Sequence, residues 1–484
     1  MTDSVADSHN PVTGINDPPP SLSLWDAVSI IVGIVVGVSI FKVPALIFSS
    51  VSSPLEGLVA WGLGAVVALC GALTYAELAT LHQKSGGEYV YLTRAFGPWL
   101  GFLFGWAQLT GVFSGSIGTM AYVFSDYAIV LLKWNESAGV GLALLAVALL
   151  TMLHILGVRT GKTVQNVLTV SKLIGLTLLL TVGLLADSTE PLTTELKAGG
   201  GGFGLAMVLV LYAYGGWNDA AMVSTEVRNS QRNVPKALLI GITIIAVIYL
   251  LVNFAYLRGL GFAAIRNSST PATDVISQSE ILSPTIRGWS VQLVAILVML
   301  SALGAVNGTI FTGSRLYAAL GRDHRPFAML GRWNQKLGSP VWSLVAQALL
   351  TGLLIVAVGT ETGRSSVDRV LNSVGRNAVP WESYDGGFNT LLSATAPVFW
   401  SFFLLSGLSV FVFRIRLPLA ERPFRTPLYP IVPLVFVASC IYMVYSSIAY
   451  AGDLALLALI PLAAGVPIYL LSSQTVLSKT SKLN

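Results

Sequence analysis

The sequence has few charged residues: Asp, Glu, Lys and Arg make up 11% of its 484 residues, against about 25% in a soluble domain. Hydrophobic residues make up 54%, and the mean hydropathy is +0.73. This balance excludes an ordinary soluble domain and indicates a protein that crosses the membrane several times. The net charge of +5 does not indicate nucleic-acid binding, because no basic cluster lies on a soluble module.

Cysteine and histidine are also scarce, with two and four residues. Cys70 and Cys440 lie in apolar segments, where buried free thiols are expected, and the predicted outer loops contain no cysteine, so we expect no disulfide-linked heavy chain. The histidines show no metal-ligand spacing, and no nucleophile–base pair or phosphate-binding loop stands out. We therefore expect neither an enzyme nor a protein with a cofactor or a resident metal.

Apolar runs long enough to cross a bilayer, about 20 residues each, are abundant. They predict an all-α membrane protein with one transporter domain over residues 22–472 and polar cytoplasmic tails at 1–21, expected to be disordered, and at 473–484. The predicted transmembrane helices are twelve: 24–50, 56–80, 98–132, 138–158, 163–186, 203–225, 235–257, 288–320, 341–359, 389–413, 428–449 and 453–472.

The positions of lysine and arginine predict the orientation of these helices. With the N-terminus inside, the inner loops hold 18 of the 28 basic residues and the outer loops hold 8. The other two, Lys42 and Lys172, lie within predicted spans. This bias predicts a multi-pass protein of the cell membrane with both termini in the cytoplasm.

The predicted spans repeat after five. Spans 1 and 6 are both interrupted by glycine, at Gly37 and at Gly215–Gly216, and spans 3 and 8 are the two longest. Because each set contains an odd number of spans, the two sets must have opposite orientations in the membrane. We therefore predict a 5+5 inverted repeat, with one half at about 24–186, the other at about 203–413, and an appended pair of spans at 428–472.

An interrupted membrane helix exposes backbone groups that hydrocarbon cannot satisfy. The free N–H groups at the start of a half-helix suit a carboxylate, and the free C=O groups at the end of the other half suit an ammonium group or a cation. A zwitterionic amino acid carries both charges. Two interruptions at matched positions of a repeat therefore predict a substrate site between spans 1 and 6.

Several motifs resemble those of one transporter family. GVSIFKVP (37–44) is similar to the first-span motif of amino acid permeases, and YAYGGWN (212–218) with EVRNSQRNVPKA (226–237) resembles span 6 and its inner loop in the L-type branch. The resemblance covers about residues 22–472. It identifies the chain as a member of the amino acid–polyamine–organocation (APC) superfamily and implies the leucine-transporter (LeuT) type of fold with alternating access.

The resemblance also implies roles for individual residues. Backbone groups at the first interruption would hold the substrate carboxylate, and those at the second would face its ammonium group, with Tyr212 as an aromatic gate. The residues concerned are Gly37, Val38, Ser39 and Ile40, then Tyr212, Ala213, Gly215 and the neighbouring Gly216. The family's G-S-G is G-V-S here, so Val38 removes a hydroxyl and Ser39 adds a side chain.

Lys172 lies in the middle of span 5, where an unpaired ammonium group costs at least about 2.5–3.5 kcal/mol. By the resemblance, it occupies the region where sodium-coupled relatives bind a cation, and it would bridge span 1 carbonyls to span 8 hydroxyls such as that of Ser301. This predicts sodium independence.

Two further charged residues have open interpretations. Lys42 lies one turn beyond the first interruption and could attract anionic groups, pair with Asp219 or reach outer water. Asp219 follows the second interruption and could cap the second half-helix, couple transport to protons or pair with Lys42.

The sequence thus predicts a secondary active, sodium-independent transporter of a zwitterionic L-amino acid, by proton symport or by amino acid exchange. Its expected partners are the substrate, the lipid bilayer and, for symport, protons. A non-transporting amino acid sensor on the same fold, or a permease for a cationic amino acid or polyamine, are the alternatives.

Overall fold

The computed structural model of the chain describes residues 20–82, 86–186, 196–197, 202–268, 270–373, 375–381 and 386–480. The described residues are helical or lie in turns and connections, with only two isolated β-bridges. Most of the predicted tail at 1–21 lies outside them, and the last helix continues to Thr480, into the predicted tail at 473–484.

The first half of the described chain contains these helices: α1 (Leu24–Val35), α2 (Ser39–Ser50), α3 (Pro54–Leu81), α4 (Glu88–Phe96), α5 (Pro98–Leu132), α6 (Gly139–Ile155) and α7 (Val158–Leu184). The second half contains α8 (Gly202–Ala213), α9 (Ser230–Leu260), α10 (Phe262–Asn267), α11 (Pro271–Gln278), α12 (Pro284–Gly288), α13 (Ser290–Asp323), α14 (Val341–Gly359), α15 (Glu361–Ser373), α16 (Gly386–Arg416), α17 (Ile431–Ala451) and α18 (Leu456–Thr480). A 3₁₀ helix (Trp217–Glu226) follows α8.

Within the described residues, nine helical stretches are long and apolar enough to cross a membrane, and the bent pair α1–α2 makes a tenth. The stretch 431–472 counts once among them, although a 3₁₀ turn at Gly452–Ala455 divides it where the sequence predicts two spans. The halves on either side of the second interruption, α8 and the 3₁₀ helix, are each too short to qualify. The protein is therefore an all-helical, multi-pass membrane protein, and the twelve-span topology stays a prediction.

The helices pack in two sets. In the first set, α9 packs against α1 and α3, and α3 packs against α8; the second set contains α5, α6, α13 and α14. α1 also packs against α7 and α13, so it lies at the seam between the sets. These two sets correspond to the predicted spans 1, 2, 6 and 7 and the predicted spans 3, 4, 8 and 9.

Local sequence fixes where α1 begins. The Ser23 Oγ accepts the N–H of Asp26 at 3.2 Å, and the Asp26 carboxylate accepts the N–H of Ser23 at 2.9 Å, which is a capping box. The same carboxylate pairs with Lys162 of α7 at 3.0 Å. One short polar motif therefore both starts α1 and attaches it to α7.

A second polar cluster joins the start of the described chain to the end of the 3₁₀ helix. The N–H groups of Ser21 and Leu22 donate to the carbonyl of Glu226 at 2.9 and 2.8 Å, and the Glu226 carboxylate pairs with Arg315 of α13 at 2.8 Å. Both side chains of this ion pair are almost fully buried. The pair connects the two helix sets at the end of the 3₁₀ helix.

Candidate substrate site

The first break separates α1 from α2 and bends the pair by 49°. The chain leaves the helix after Val35 and resumes it at Ser39, so no earlier turn supplies acceptors for the N–H groups of Val38, Ser39 and Ile40. No hydrogen bond from these three groups is found among the described residues. The prediction for Gly37 needs an adjustment, because its own N–H already donates to the carbonyl of Val35 at 2.7 Å.

The second break lies between Ala213 and Trp217. Gly216 has φ of +102°, in the left-handed region that favours glycine, and the N–H of Gly215 turns back to the carbonyl of Tyr212 at 3.0 Å. The chain then continues as a 3₁₀ helix rather than as the second α-helical half that the sequence suggests.

The two breaks lie against each other. A Cβ on Gly216 would come within 2.9 Å of the Ile34 side chain, just before the first break. The Tyr249 hydroxyl of α9 lies 2.8 Å from the carbonyl of Val35 and 3.1 Å from that of Ala213, so its single O–H is shared between the ends of both helices. Tyr256, two helical turns later on α9, donates to the carbonyl of Ile40 at 3.2 Å.

A cavity opens between the breaks and the second helix set. It holds about 1020 Å³ of space between atoms, including its opening. Its walls include α5, α13 and α16, with Val112, Phe113, Thr309 and Trp400 among the contributing side chains. α5 contains a π-helical segment, Gln108–Val112, whose last residue lies in the wall. Such segments are frequent at functional sites.

Most of the residues predicted from the sequence line this cavity. They are Gly37, Val38, Ser39, Tyr212, Ala213, Gly215, Gly216 and Asp219. Ile40 is not in the lining and is fully buried in the core. Among the described lining residues, Asp219 has the only charged side chain; the others present apolar groups, hydroxyls or backbone.

Lys172 lies beside the first break and is fully buried. Its Nζ donates to the carbonyls of Gly33 and Val36, both at 2.8 Å, and to that of Ser301 at 3.2 Å. The sequence suggested the Ser301 hydroxyl as the partner, but that hydroxyl donates to the Val36 carbonyl at 2.9 Å. The lysine and Ser301 together therefore close the carbonyl end of α1 from the side of α7 and α13.

Lys42 and Asp219, the two charged residues with open interpretations, differ in their exposure to solvent. Lys42 is exposed, with its Nζ 5.9 Å from the centre of the Phe388 ring. Asp219 is 4% exposed, and no ion pair joins it to Lys42 in the described part of the chain. The position before the 3₁₀ helix is Gly216, and no side chain caps it, which disfavours the capping interpretation of Asp219.

Three features of the site could not be seen in the sequence. Tyr249 and Tyr256 look like ordinary aromatic residues of an apolar span, although their spacing of seven places both on one face of α9. The π-helical segment has no sequence signature beyond the threonine and glycine of QLTGV (108–112). Glu88 follows two glycines in a polar connection, where an exposed side chain is expected, yet it is 2% exposed.

The sequence profile of the amino acid permease family matches residues 22–471. The chain belongs to this family. The match covers nearly all of the described chain, including both breaks and the cavity between them. The family consists of permeases, not enzymes.

Several amino acid transporters are similar to this permease over most of their length. The b(0,+)-type amino acid transporter 1 of Mus musculus is 29% identical over 441 residues, covering 88% of this chain and 82% of that transporter. The serine/threonine exchanger SteT of Bacillus subtilis is 25% identical, covering 93% and 95%. The large neutral amino acids transporter small subunit 2 of Rattus norvegicus is 28% identical, covering 80% and 76%.

Proposed function

We propose that this permease carries one zwitterionic L-amino acid at a time across the cell membrane by alternating access, without sodium. The observation that carries the proposal is the pair of facing breaks with one cavity between them. Oriented backbone groups from two chain segments converge there, and the lining is otherwise apolar or hydroxyl-bearing. A small molecule with one carboxylate and one ammonium group matches that arrangement.

The substrate carboxylate would bind at the start of α2. The N–H groups of Val38, Ser39 and Ile40 point from a helix N-terminus, which carries about half a positive charge. The substrate ammonium would bind at the end of α8. The carbonyls of Tyr212 and Ala213 each accept one hydrogen bond already, at 3.0 and 3.1 Å, and a carbonyl oxygen can accept a second.

Sodium independence rests on Lys172. The carbonyl end of a broken membrane helix is where a monovalent cation would be coordinated. Here an ammonium group of the chain itself fills that role, with three carbonyl contacts between 2.8 and 3.2 Å. A sodium ion at the same carbonyls would have to displace it.

Alternating access would move the set α1, α3, α8 and α9 relative to the set α5, α6, α13 and α14. The buried Glu226–Arg315 pair joins the two sets on the side that the basic-residue bias predicts to be cytoplasmic. This pair would have to separate when the site opens to the cytoplasm, so we infer that it is an inner gate. Transport would then proceed by proton symport or by exchange of one amino acid for another.

Uptake into proteoliposomes tests this function. Purified protein is reconstituted, and uptake of each of the twenty labelled amino acids is measured with and without sodium, with and without unlabelled amino acid inside. We expect saturable uptake of a subset of zwitterionic amino acids that does not change when choline replaces sodium.

Other outcomes discriminate the alternatives. Binding of an amino acid without any uptake would favour a sensor. Competition by lysine, arginine or a diamine alone would favour a permease for cationic substrates. Uptake that stops when sodium is removed would contradict the role given to Lys172.

A further inference from the structure

Two buried carboxylates without a cationic partner lie next to each other in the fold. Asp219, on the 3₁₀ helix, is 4% exposed and lines the cavity. Glu88, the first residue of α4, is 2% exposed. The Glu88 carboxylate accepts a hydrogen bond from Asn218 Nδ2 at 3.2 Å and another from the Tyr75 hydroxyl. Asn218 is directly followed by Asp219, so Glu88 contacts the residue next to the one in the cavity wall.

The lack of a cation distinguishes this pair from the other buried carboxylates. Asp26 is paired with Lys162 at 3.0 Å, Glu77 with Arg414 at 2.7 Å, and Glu226 with Arg315 at 2.8 Å. In the described part of the chain, no Lys, Arg or His nitrogen lies within 4.0 Å of Glu88 or Asp219.

The titratable groups that face the pair are all neutral or acidic. Those facing Glu88 are Tyr75 of α3, Tyr91 of α4 and Cys440 of α17, besides Asp219 itself. The group facing Asp219 from α13 is Tyr317. No surrounding group can therefore compensate two negative charges.

Burying an ionised carboxylate without a partner costs several kcal/mol, and a second negative charge close by adds to that cost. In the buried arrangement, at least one proton is therefore bound. Glu88 keeps two donors that favour its ionised form, whereas burial raises its pKa to about 7. That value lies within reach of physiological pH.

We propose that Glu88 and Asp219 form the proton-binding site of this permease and that the pair carries one proton with each substrate. The inference rests on the proposed transport function and selects symport from the two coupling modes. A carboxylate oxygen of the pair takes one proton from water while the site is open to one side of the membrane, and it holds that proton while the site is closed. The same proton leaves that oxygen for water on the other side, and no other bond changes.

The position of the pair explains how proton and substrate are coupled. Asp219 lies in the cavity wall, so a bound substrate covers it. Tyr75 lies on α3 and Asn218 on the 3₁₀ helix that follows α8, whereas α4 packs against α5 and α16. A movement of one set away from the other would separate Asn218 from Glu88 and admit water to both carboxylates. Both carboxyl groups can then be ionised, because water solvates the two negative charges.

The test uses the full-length protein in proteoliposomes that contain the pH-sensitive dye pyranine. A mixture of the twenty amino acids is added outside, and separately each labelled amino acid is supplied with an acidic exterior or with equal pH. For the wild-type protein, we expect internal acidification on addition of the mixture. We also expect accumulation of the transported amino acid to increase several-fold when the exterior is acidic.

Asp219→Asn and Glu88→Gln replace each carboxylate by a neutral group of the same shape. Both should abolish acidification and the effect of the pH gradient. Glu88→Gln, whose side chain lies outside the cavity lining, should still exchange internal for external amino acid. Glu136→Gln removes an exposed carboxylate and serves as the matched control, with wild-type proton movement expected. A monodisperse profile and a melting temperature near that of the wild type show that each variant is folded. If Asp219→Asn does not fold, Asp219→Glu should retain proton movement with a shifted pH profile.

Three results would overturn the proposal. The first is wild-type uptake with no proton movement, which would leave exchange as the coupling mode. The second is Asp219→Asn and Glu88→Gln variants that acidify the vesicles as the wild type does. The third is an Asp219→Asn variant that loses only competition by lysine and arginine, because Asp219 would then bind a cationic substrate side chain. A wild-type protein that transports none of the twenty amino acids would instead contradict the transport function itself.

Discussion

Among single residues, Lys172 has the contacts whose loss should affect transport most. Lys172→Met keeps an unbranched apolar side chain and removes only the ammonium group. Three buried carbonyls then lose a donor. The Val36 carbonyl keeps the Ser301 hydroxyl, but a carbonyl left without any donor costs about 1–3 kcal/mol. We expect initial uptake in proteoliposomes to fall at least about tenfold, as a loss of 1.4 kcal/mol would produce, together with a lower melting temperature.

A matched control separates this effect from a general effect of lost charge. Lys236 is exposed on α9, and Lys236→Met should retain wild-type uptake and melting temperature. Wild-type uptake by Lys172→Met would show that the ammonium group is dispensable and would remove the argument for sodium independence.

Between elements, the Tyr249 hydroxyl holds the carbonyl ends of α1 and α8 together. Tyr249→Phe preserves the ring, which packs against Trp61 with centroids 5.2 Å apart, and removes only the donor. Two carbonyls beside the candidate substrate site then lose the one O–H that they share, at about 1–3 kcal/mol. We expect KM for the transported amino acid to rise several-fold, because the two breaks would be less well positioned before binding.

The control for this variant is Tyr442→Phe, which removes a hydrogen bond from α17 to the carbonyl of Gly204 far from the cavity. Its KM should equal that of the wild type. An unchanged KM in Tyr249→Phe would mean that other contacts suffice to align the breaks.

The Glu226–Arg315 contact joins the 3₁₀ helix to α13. Breaking one side of such a buried pair costs about 3–5 kcal/mol, whereas replacing both partners by neutral groups is often tolerated. We therefore expect Glu226→Gln and Arg315→Met each to lower the melting temperature strongly and the double variant to lower it less than the sum. Thermal unfolding in detergent gives the melting temperatures of the wild type, the two single variants and the double variant, which together form a double-mutant cycle.

The two single variants need not behave alike. Arg315 also lies 3.8 Å from the centre of the Phe311 ring and donates to the Phe311 carbonyl, so Arg315→Met should be the more costly of the two. Strictly additive effects in the double variant would mean that the ion pair makes no net contribution to the folded state.

The sequence alone was sufficient to locate both breaks, because the two glycine interruptions lie at matched positions of the predicted repeat. It also located Lys172, because an unpaired lysine in the middle of a span must find partners. It could not supply those partners. Glu226 and Arg315 are separated by 89 positions, and no local pattern relates them.

Other features depend on tertiary contacts that override local preference. The segment after Gly216 winds as a 3₁₀ helix, although its sequence, WNDAAMVSTE, has no proline or glycine to forbid an α-helix. Glu88 follows two glycines in a connection that looks solvated, and only the packing of α3, α4 and the 3₁₀ helix buries it. Acidic residues in polar loops are mostly exposed, so sequence reasoning passes over this one.

For the molecule as a whole, the distribution of lysine and arginine predicts which face is cytoplasmic, and labelling of introduced cysteines tests it. The two native cysteines are buried and should react little. Glu136→Cys places a thiol in the exposed connection between α5 and α6, and Arg332→Cys places one in the exposed connection between α13 and α14. The predicted topology places these connections on opposite faces, because the two halves of the repeat are inverted and five spans separate the connections.

We expect a membrane-impermeant maleimide added to intact cells to label Glu136→Cys and not Arg332→Cys. Permeabilising the cells should expose the thiol of Arg332→Cys to the reagent, which controls for its intrinsic reactivity. The reverse pattern would place the Glu226–Arg315 pair on the outer face. The pair would then be an outer gate, and the pathway for the proton of Glu88 and Asp219 would run in the opposite direction.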